Sequence, residues 1–114
     1  MPIGEQWHSF DRYLVVVAHP DDAEFSSAGT IAILTAMGKT VVIAQVTSGD
    51  KGTADFATAT TQMVTTRESE EIEAARRLGV LTVDFLRQTD GELMPDLALR
   101  GAVVAAVRRH KPDV

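Results

Sequence analysis

Four short apolar runs rich in β-branched residues recur along the chain, and segments with helical spacing of apolar residues separate them. The runs lie at residues 13–18, 40–46, 81–86 and 113–114, and the last is only the beginning of a run. A continuously apolar run of this length is typical of a strand buried on both faces of a parallel sheet. The intervening segments predict helices at residues 26–37, 61–78 and 97–110.

This alternation predicts an α/β protein with a Rossmann-like, three-layer αβα architecture and a parallel sheet, because successive parallel strands are joined by right-handed crossovers. Gly38 and Gly79 mark the ends of the first two helices. Three apolar residues of the second helix are predicted to face the sheet: Ile72, Ala75 and Leu78.

The chain has 114 residues, which suffices for one small domain with a limited core. The final letters KPDV stop where a buried fourth strand should begin, and three strands with a stub leave a sheet edge uncovered. We therefore expect residues 1–114 to be the N-terminal part of a single larger domain, truncated at the start of the fourth strand.

Composition excludes several classes of function. A net charge of −5 argues against nucleic acid or an anionic membrane as the main partner. The absence of cysteine excludes disulfides, thiolate metal sites and cysteine nucleophiles, and it suits a cytoplasmic protein. No apolar run approaches the ~18 residues of a membrane span.

Acid-rich segments follow each of the first three predicted strands. They are HPDDAE at residues 19–24, TSGDKGT at residues 47–53 and RQTDGE at residues 87–92. Parallel sheets bind ligands just beyond the carboxyl ends of their strands. We therefore expect these three segments to meet at one edge of the sheet and to form the functional site.

His19 and Asp22 are three residues apart at the first strand-to-helix turn. Imidazole and carboxylate are suitable zinc ligands, and neighbouring carboxylates become tolerable beside a dication. Asp21, which lies between them, is then free to act as a base for water. The alternative is that Asp21 or Asp22 caps the following helix while His19 packs in the turn. The two interpretations are compatible for different residues.

Arg67 and Asp90 also carry two interpretations each. Arg67 can pair with Glu70 or Glu71 on the helix surface, or it can reach the ligand edge, where its helix begins. Asp90 precedes a glycine, so its role can be confined to a turn; alternatively, it can contact a ligand.

The segment AHPDDAE, followed by Gly29-Thr30, closely resembles the N-terminal motif of the PIG-L/LmbE-like deacetylases. Four further landmarks stand in the order of that family: TSGDKGT, Arg67 with Glu70 and Ala74, LGV at the end of the second helix, and DGEL after the third strand. The resemblance therefore extends along most of the chain.

The resemblance implies a zinc-dependent hydrolase that removes the N-acetyl group from a GlcNAc-containing small molecule or glycoconjugate through metal-activated water. It implies that His19 and Asp22 bind Zn²⁺, or another divalent metal, and that Asp21 is the catalytic base. It also gives roles to three further residues: Arg67 and Asp90 as substrate-binding positions, and Glu24 as a support for the geometry of the motif.

A hydrolytic zinc site has three protein ligands, and the resemblance implies that the third is a histidine beyond residue 114. His8 precedes the first strand and His110 ends the third helix, so both are expected about 20 Å from the site. The alternative from another class is a non-catalytic Rossmann-like module that binds a small polar ligand. The sequence leaves the oligomeric state open and admits a homo-oligomer.

Overall fold

The computed structural model describes residues 6, 9–48, 60–88 and 93–114. Its elements in chain order are β1 (Arg12–Val17), α1 (Asp22–Ala36), β2 (Thr40–Thr47), α2 (Thr60–Leu78), β3 (Thr82–Gln88) and α3 (Leu97–His110). This confirms the predicted order. However, α1 begins four residues before its predicted start, so Asp22 lies in its first turn. None of these described helices is both long and apolar enough to span a membrane.

The three strands form a parallel sheet in the order β1-β2-β3. At the other edge of β1, the N–H of Leu14 donates to the carbonyl of Val114 at 2.9 Å, and the N–H of Asp113 donates to the carbonyl of Arg12 at 2.8 Å. Residues 113–114 therefore hydrogen-bond to the side of β1 that faces away from β2, and the order of segments across the sheet reverses at β1. In sheets of this kind the ligand site lies at that reversal, beyond the carboxyl ends of the strands.

Helices cover the sheet on both faces, as the right-handed crossovers require. α1 and α2 pack against each other and the sheet, and α3 packs against β2 and β3. β2 lies in the centre of the sheet and is buried along nearly its whole length. The core between the sheet and the first two helices consists of Tyr13, Ala23, Ile31, Leu34, Val41, Ile43, Ala75 and Val80.

The predicted inward face of α2 is correct at Ala75 and Leu78 but wrong at Ile72. Ile72 is 54% exposed, whereas its neighbour Glu71 is 1% exposed. Successive helical residues are about 100° apart around the axis, so the buried stripe runs through Glu71, Ala75 and Leu78 instead. The orientation of α2 about its own axis depends on how it packs against α1. The spacing of apolar residues does not specify that packing.

The C-terminal ends of α1 and α2 are in contact. Thr35 Oγ1 donates to the carbonyl of Leu78 at 2.7 Å. The next residue, Gly79, has a φ of +81°, and a Cβ there would lie 3.0 Å from the Cβ of Thr35. Both the backbone conformation and the close approach therefore require glycine at this position.

Candidate functional site

The turn after β1 is anchored at the carboxyl edge of the sheet. The carbonyl of Ala18 accepts hydrogen bonds from the backbone N–H and the Oγ1 of Thr47, at 2.9 and 2.8 Å. The chain then passes through His19 and Pro20 into α1. The N-terminus of α1 therefore borders the site, and its dipole favours negative charge there.

His19 and Asp22 converge at this turn. Asp22 Oδ2 accepts the backbone N–H of His19 at 2.9 Å and lies 3.6 Å from His19 Nδ1. Both side chains are about half exposed, at 49% and 44%, so a dissolved ion has access to them. An imidazole nitrogen and a carboxylate oxygen are donors that a divalent cation such as zinc accepts. Their role as ligands stays a prediction.

The capping alternative finds no support in the side chain of Asp21. Asp21 is the N-cap residue of α1, but its side chain makes no capping hydrogen bond. The carboxylate of Asp22 binds the N–H of His19, which lies before the helix. Asp21 has a left-handed backbone with φ 70°. This conformation costs a non-glycine residue on the order of 1–3 kcal/mol, so the surroundings must hold it in place.

Asp21, Glu24 and Glu71 form a cluster of three carboxylates beside the His19–Asp22 pair. One oxygen from each lies within 4.8 Å of the others. The backbone N–H of Asp21 donates to Glu71 Oε2 at 3.4 Å. Within the described residues, both side-chain oxygens of Glu24 and Oε1 of Glu71 are buried without a hydrogen-bond partner. These oxygens could accept a proton or a cation.

The three carboxyl groups of the cluster are close enough to repel one another when they are ionised. The pKa of Glu71 is raised to about 7, first by burial and then by the carboxyl group of Glu24 and the charge of Asp21, while the N–H of Asp21 opposes the rise. No lysine or arginine among the described residues forms an ion pair with these three carboxylates. Within the described part of the chain, a shared proton or a bound cation would balance their charge.

Arg67 makes the contact that the helix-surface alternative predicts. Its Nη1 lies 3.4 Å from Glu70 Oε2, and its side chain is 34% exposed. The neighbouring Glu68 accepts a hydrogen bond at 2.8 Å from the Oγ of Ser48, which directly follows β2. This part of α2 therefore lies at the carboxyl edge of the sheet, as expected. Substrate binding by Arg67 stays a prediction, and Asp90 lies outside the described residues.

Sequence reasoning missed Glu71 as a member of the site, because an acidic helix segment usually faces solvent. One signal was present in the spacing. Glu68, Glu71, Ala75 and Leu78 follow one another at intervals of three or four residues and so lie on one stripe of the helix. Since Ala75 and Leu78 were predicted to face inward, the two glutamates share that face.

His110 lies at the opposite edge of the sheet, as expected. Its Nε2 is 2.7 Å from Asp84 Oδ2, and its carbonyl accepts hydrogen bonds from the guanidinium of Arg12, the first residue of β1. Burial pushes the pKa of Asp84 up, but hydrogen bonds from Arg109 and His110 outweigh it and lower that pKa. His110 therefore cannot complete the His19–Asp22 pair. His8 lies outside the described residues.

Known proteins that are similar to this chain include deacetylases. A family model described as GlcNAc-PI de-N-acetylase, PIG-L, matches residues 14–114. Diacetylchitobiose deacetylase of Thermococcus kodakarensis is 31% identical over 112 residues, which cover 98% of this chain and 42% of that protein. The chain thus spans about two fifths of the length of this relative.

Solved structures share the fold. N,N'-diacetylchitobiose deacetylase from Pyrococcus horikoshii, complexed with its inhibitor MPG, matches with a TM-score of 0.86 and 33% identity over 91% of this chain and 39% of that chain. GalB, the 4-carboxy-2-hydroxymuconate hydratase of Pseudomonas putida, matches with a TM-score of 0.79 and 23% identity over 90% of this chain and 44% of that chain. At that identity the hydratase shows the fold alone.

Proposed function

Because the chain belongs to the PIG-L family of GlcNAc-PI de-N-acetylases, we propose that it forms the N-terminal part of a metal-dependent N-deacetylase. The substrate is a GlcNAc-containing small molecule or glycoconjugate, and the reaction is hydrolysis of its acetamide. The observation that carries the proposal is the placement of His19, Asp21 and Asp22 at one turn beyond the carboxyl end of β1. A cytoplasmic location is part of the proposal, since the chain has no cysteine.

His19 and Asp22 would hold the metal ion, which we propose to be zinc. Two donor atoms at the usual ~2.0–2.1 Å from a tetrahedral zinc ion are roughly 3.4 Å apart, and His19 Nδ1 lies 3.6 Å from Asp22 Oδ2. The donor set therefore fits, and we propose that a histidine beyond residue 114 is the third ligand. When bound, zinc polarises the acetyl carbonyl and makes the attacking water more acidic.

Asp21 carries the proton. Its carboxylate accepts a proton from the water that adds to the acetyl carbonyl carbon. When the carbon–nitrogen bond breaks, the same group returns the proton to the leaving nitrogen, so that acetate and a free amine are formed. Glu24 would support the geometry of this turn, and Arg67 and Asp90 would bind hydroxyl groups of the sugar.

The test is the substitution Asp21→Asn in the extended protein, by which we mean this chain continued to the length of its relatives. The variant should keep its zinc, because the substitution removes a base and not a ligand. Its rate of amine release from N,N'-diacetylchitobiose should fall by about 10²–10⁴-fold. Asp11→Asn, at the opposite edge of the sheet, is the control and should be active.

Two outcomes would contradict the proposal. Turnover by Asp21→Asn at the wild-type rate would mean that another group takes the proton. Wild-type protein without stoichiometric zinc and without amine release would favour a module that binds a small polar ligand and catalyses nothing. Elemental analysis after purification without chelator distinguishes a zinc enzyme from such a binding module.

A further inference from the structure

Glu71 reaches from the middle of α2 to the turn between β1 and α1, 50 residues away in sequence. Its side chain is 1% exposed, and Oε2 accepts the backbone N–H of Asp21 at 3.4 Å. In the sequence it stands in the run ESEE, which by composition alone would face solvent. The structure instead directs Glu71 inward, toward the residue that the proposed reaction uses as a base.

The backbone of Asp21 needs to be held. Its φ of 70° is unfavourable for a residue with a Cβ, and such conformations persist only where neighbouring contacts fix them. Two contacts among the described residues do so here. The carbonyl of Asp21 accepts the N–H of Phe25 at 3.0 Å within α1, and the N–H of Asp21 is bound by Glu71. The second contact is the one that comes from outside the turn.

Burying a carboxylate at this position is unfavourable for stability. Glu71 lies within 4.8 Å of the carboxylates of Asp21 and Glu24, and its Oε1 has no hydrogen-bond partner among the described residues. An apolar side chain of similar size would avoid both the desolvation and the repulsion. Unfavourable charges of this kind concentrate at functional sites, where activity outweighs stability.

We propose that Glu71 is a positioning residue for Asp21. By binding the Asp21 N–H, its carboxylate keeps Asp21 in the left-handed conformation and so fixes the place of the catalytic carboxylate relative to His19 and Asp22. Glu71 itself does not contact the reacting atoms. The inference rests on the function proposed above, in which Asp21 is the base.

Two substitutions of nearly equal size separate positioning from packing. Glu71→Gln keeps an oxygen that can accept the Asp21 N–H, whereas Glu71→Met fills the same space without an acceptor. Glu73→Gln and Glu73→Met are the matched controls, since Glu73 lies on the exposed side of the same helix with 47% of its side chain exposed. Each variant is made in the extended, zinc-loaded protein.

We expect Glu71→Gln to retain kcat within about threefold of the wild type. Glu71→Met should lose about tenfold or more in kcat, since small displacements of a catalytic group have effects of this size. Its KM and zinc content should stay unchanged, and its melting temperature should not fall, because removing a buried carboxyl group next to Glu24 and Asp21 offsets the loss of one long hydrogen bond. Lower activity without lower stability is the signature that a purely structural role would not give.

A second readout does not depend on turnover. Amide hydrogen exchange at Asp21, followed by NMR, should be faster in Glu71→Met than in Glu71→Gln. Equal exchange in the two variants, or equal kcat in the two, would overturn the positioning role even if amine release by the wild type proves the proposed function. Conversely, a difference in exchange in a protein that releases no amine would support the contact and refute only the deacetylase activity. If Glu71→Met does not fold, Glu71→Ala replaces it.

Discussion

The buried carboxyl group of Glu71 makes stability depend on pH in a direction opposite to that of most acidic side chains. Its pKa in the folded protein is raised to about 7, chiefly by burial and by the carboxyl group of Glu24, from an ordinary value of 4.5. The folded state therefore retains a proton that the unfolded chain releases. The stabilisation is complete below pH 4.5 and is lost as the pH rises through about 7.

Urea denaturation between about pH 5 and pH 8, in the presence of a chelator, measures this dependence. Over that interval the wild type should lose on the order of 2 kcal/mol of unfolding free energy relative to Glu71→Gln. Comparing the variants at each pH removes the contribution of the histidines, which both proteins share. Glu73→Gln should follow the wild-type curve. Parallel curves for the wild type and Glu71→Gln would show that Glu71 is ionised at neutral pH.

At the level of secondary structure, α2 connects the carboxyl ends of two strands through Glu68. Its Oε1 accepts the Oγ–H of Ser48, after β2, at 2.8 Å, and both of its oxygens bind the guanidinium of Arg87 in β3, at 3.0 and 3.1 Å. Burial pushes the pKa of Glu68 up, but the hydrogen bonds from Arg87 and Ser48 outweigh it and lower that pKa. Arg87 has a positive φ of 55°, so this contact also fixes a strained backbone.

Glu68→Ala should therefore destabilise the protein by about 1–3 kcal/mol, because Ser48 and Arg87 lose a charged partner that is only 13% exposed. Glu70→Ala, which removes an exposed partner of Arg67, is the control and should change the unfolding free energy by less than about 1 kcal/mol. Equilibrium unfolding in urea measures both. Equal effects of the two substitutions would mean that the link through Glu68 is no stronger than a surface ion pair.

Strands and helices could be predicted from the sequence because their periodicity is local, whereas contacts between them could not. The sequence predicts too late a start for α1, because the positions at helical spacing between Ala23 and Ile31 are serine and threonine, so no large apolar side chain marks its first turns. The burial of Glu71 in place of Ile72 depends on the rotation of α2 against α1. The His19–Asp22 pair was predictable from a three-residue spacing, but the contact of Asp21 with Glu71 joins residues 50 apart.

Considering the protein as one unit, the chain supplies two of the three metal ligands that we propose. Residues 1–114 alone should bind zinc roughly 100-fold or more weakly than the extended protein, because loss of a direct ligand exceeds the effect of losing its supporting contacts. Isothermal titration calorimetry with zinc gives the affinity of each protein. His19→Ala should lower the zinc affinity of both. Equal affinities would place the third ligand within residues 1–114.

The pairing of residues 113–114 with β1 also bears on how the sheet is assembled during synthesis. β1, β2 and β3 can pair once residue 88 has been made. The other side of β1 pairs only after Asp113 has been made, whose carboxylate accepts the N–H groups of Asp11 and Arg12, 102 and 101 residues earlier in the chain. At the usual 5–20 residues per second, the roughly 26 intervening residues take on the order of 1–5 s. Throughout that time β1 is an unpaired edge available to other nascent chains. The unpaired side of β1, the strand that leads into the proposed metal ligands, is therefore the part of the sheet for which a chaperone, or a pause in translation, would have most effect.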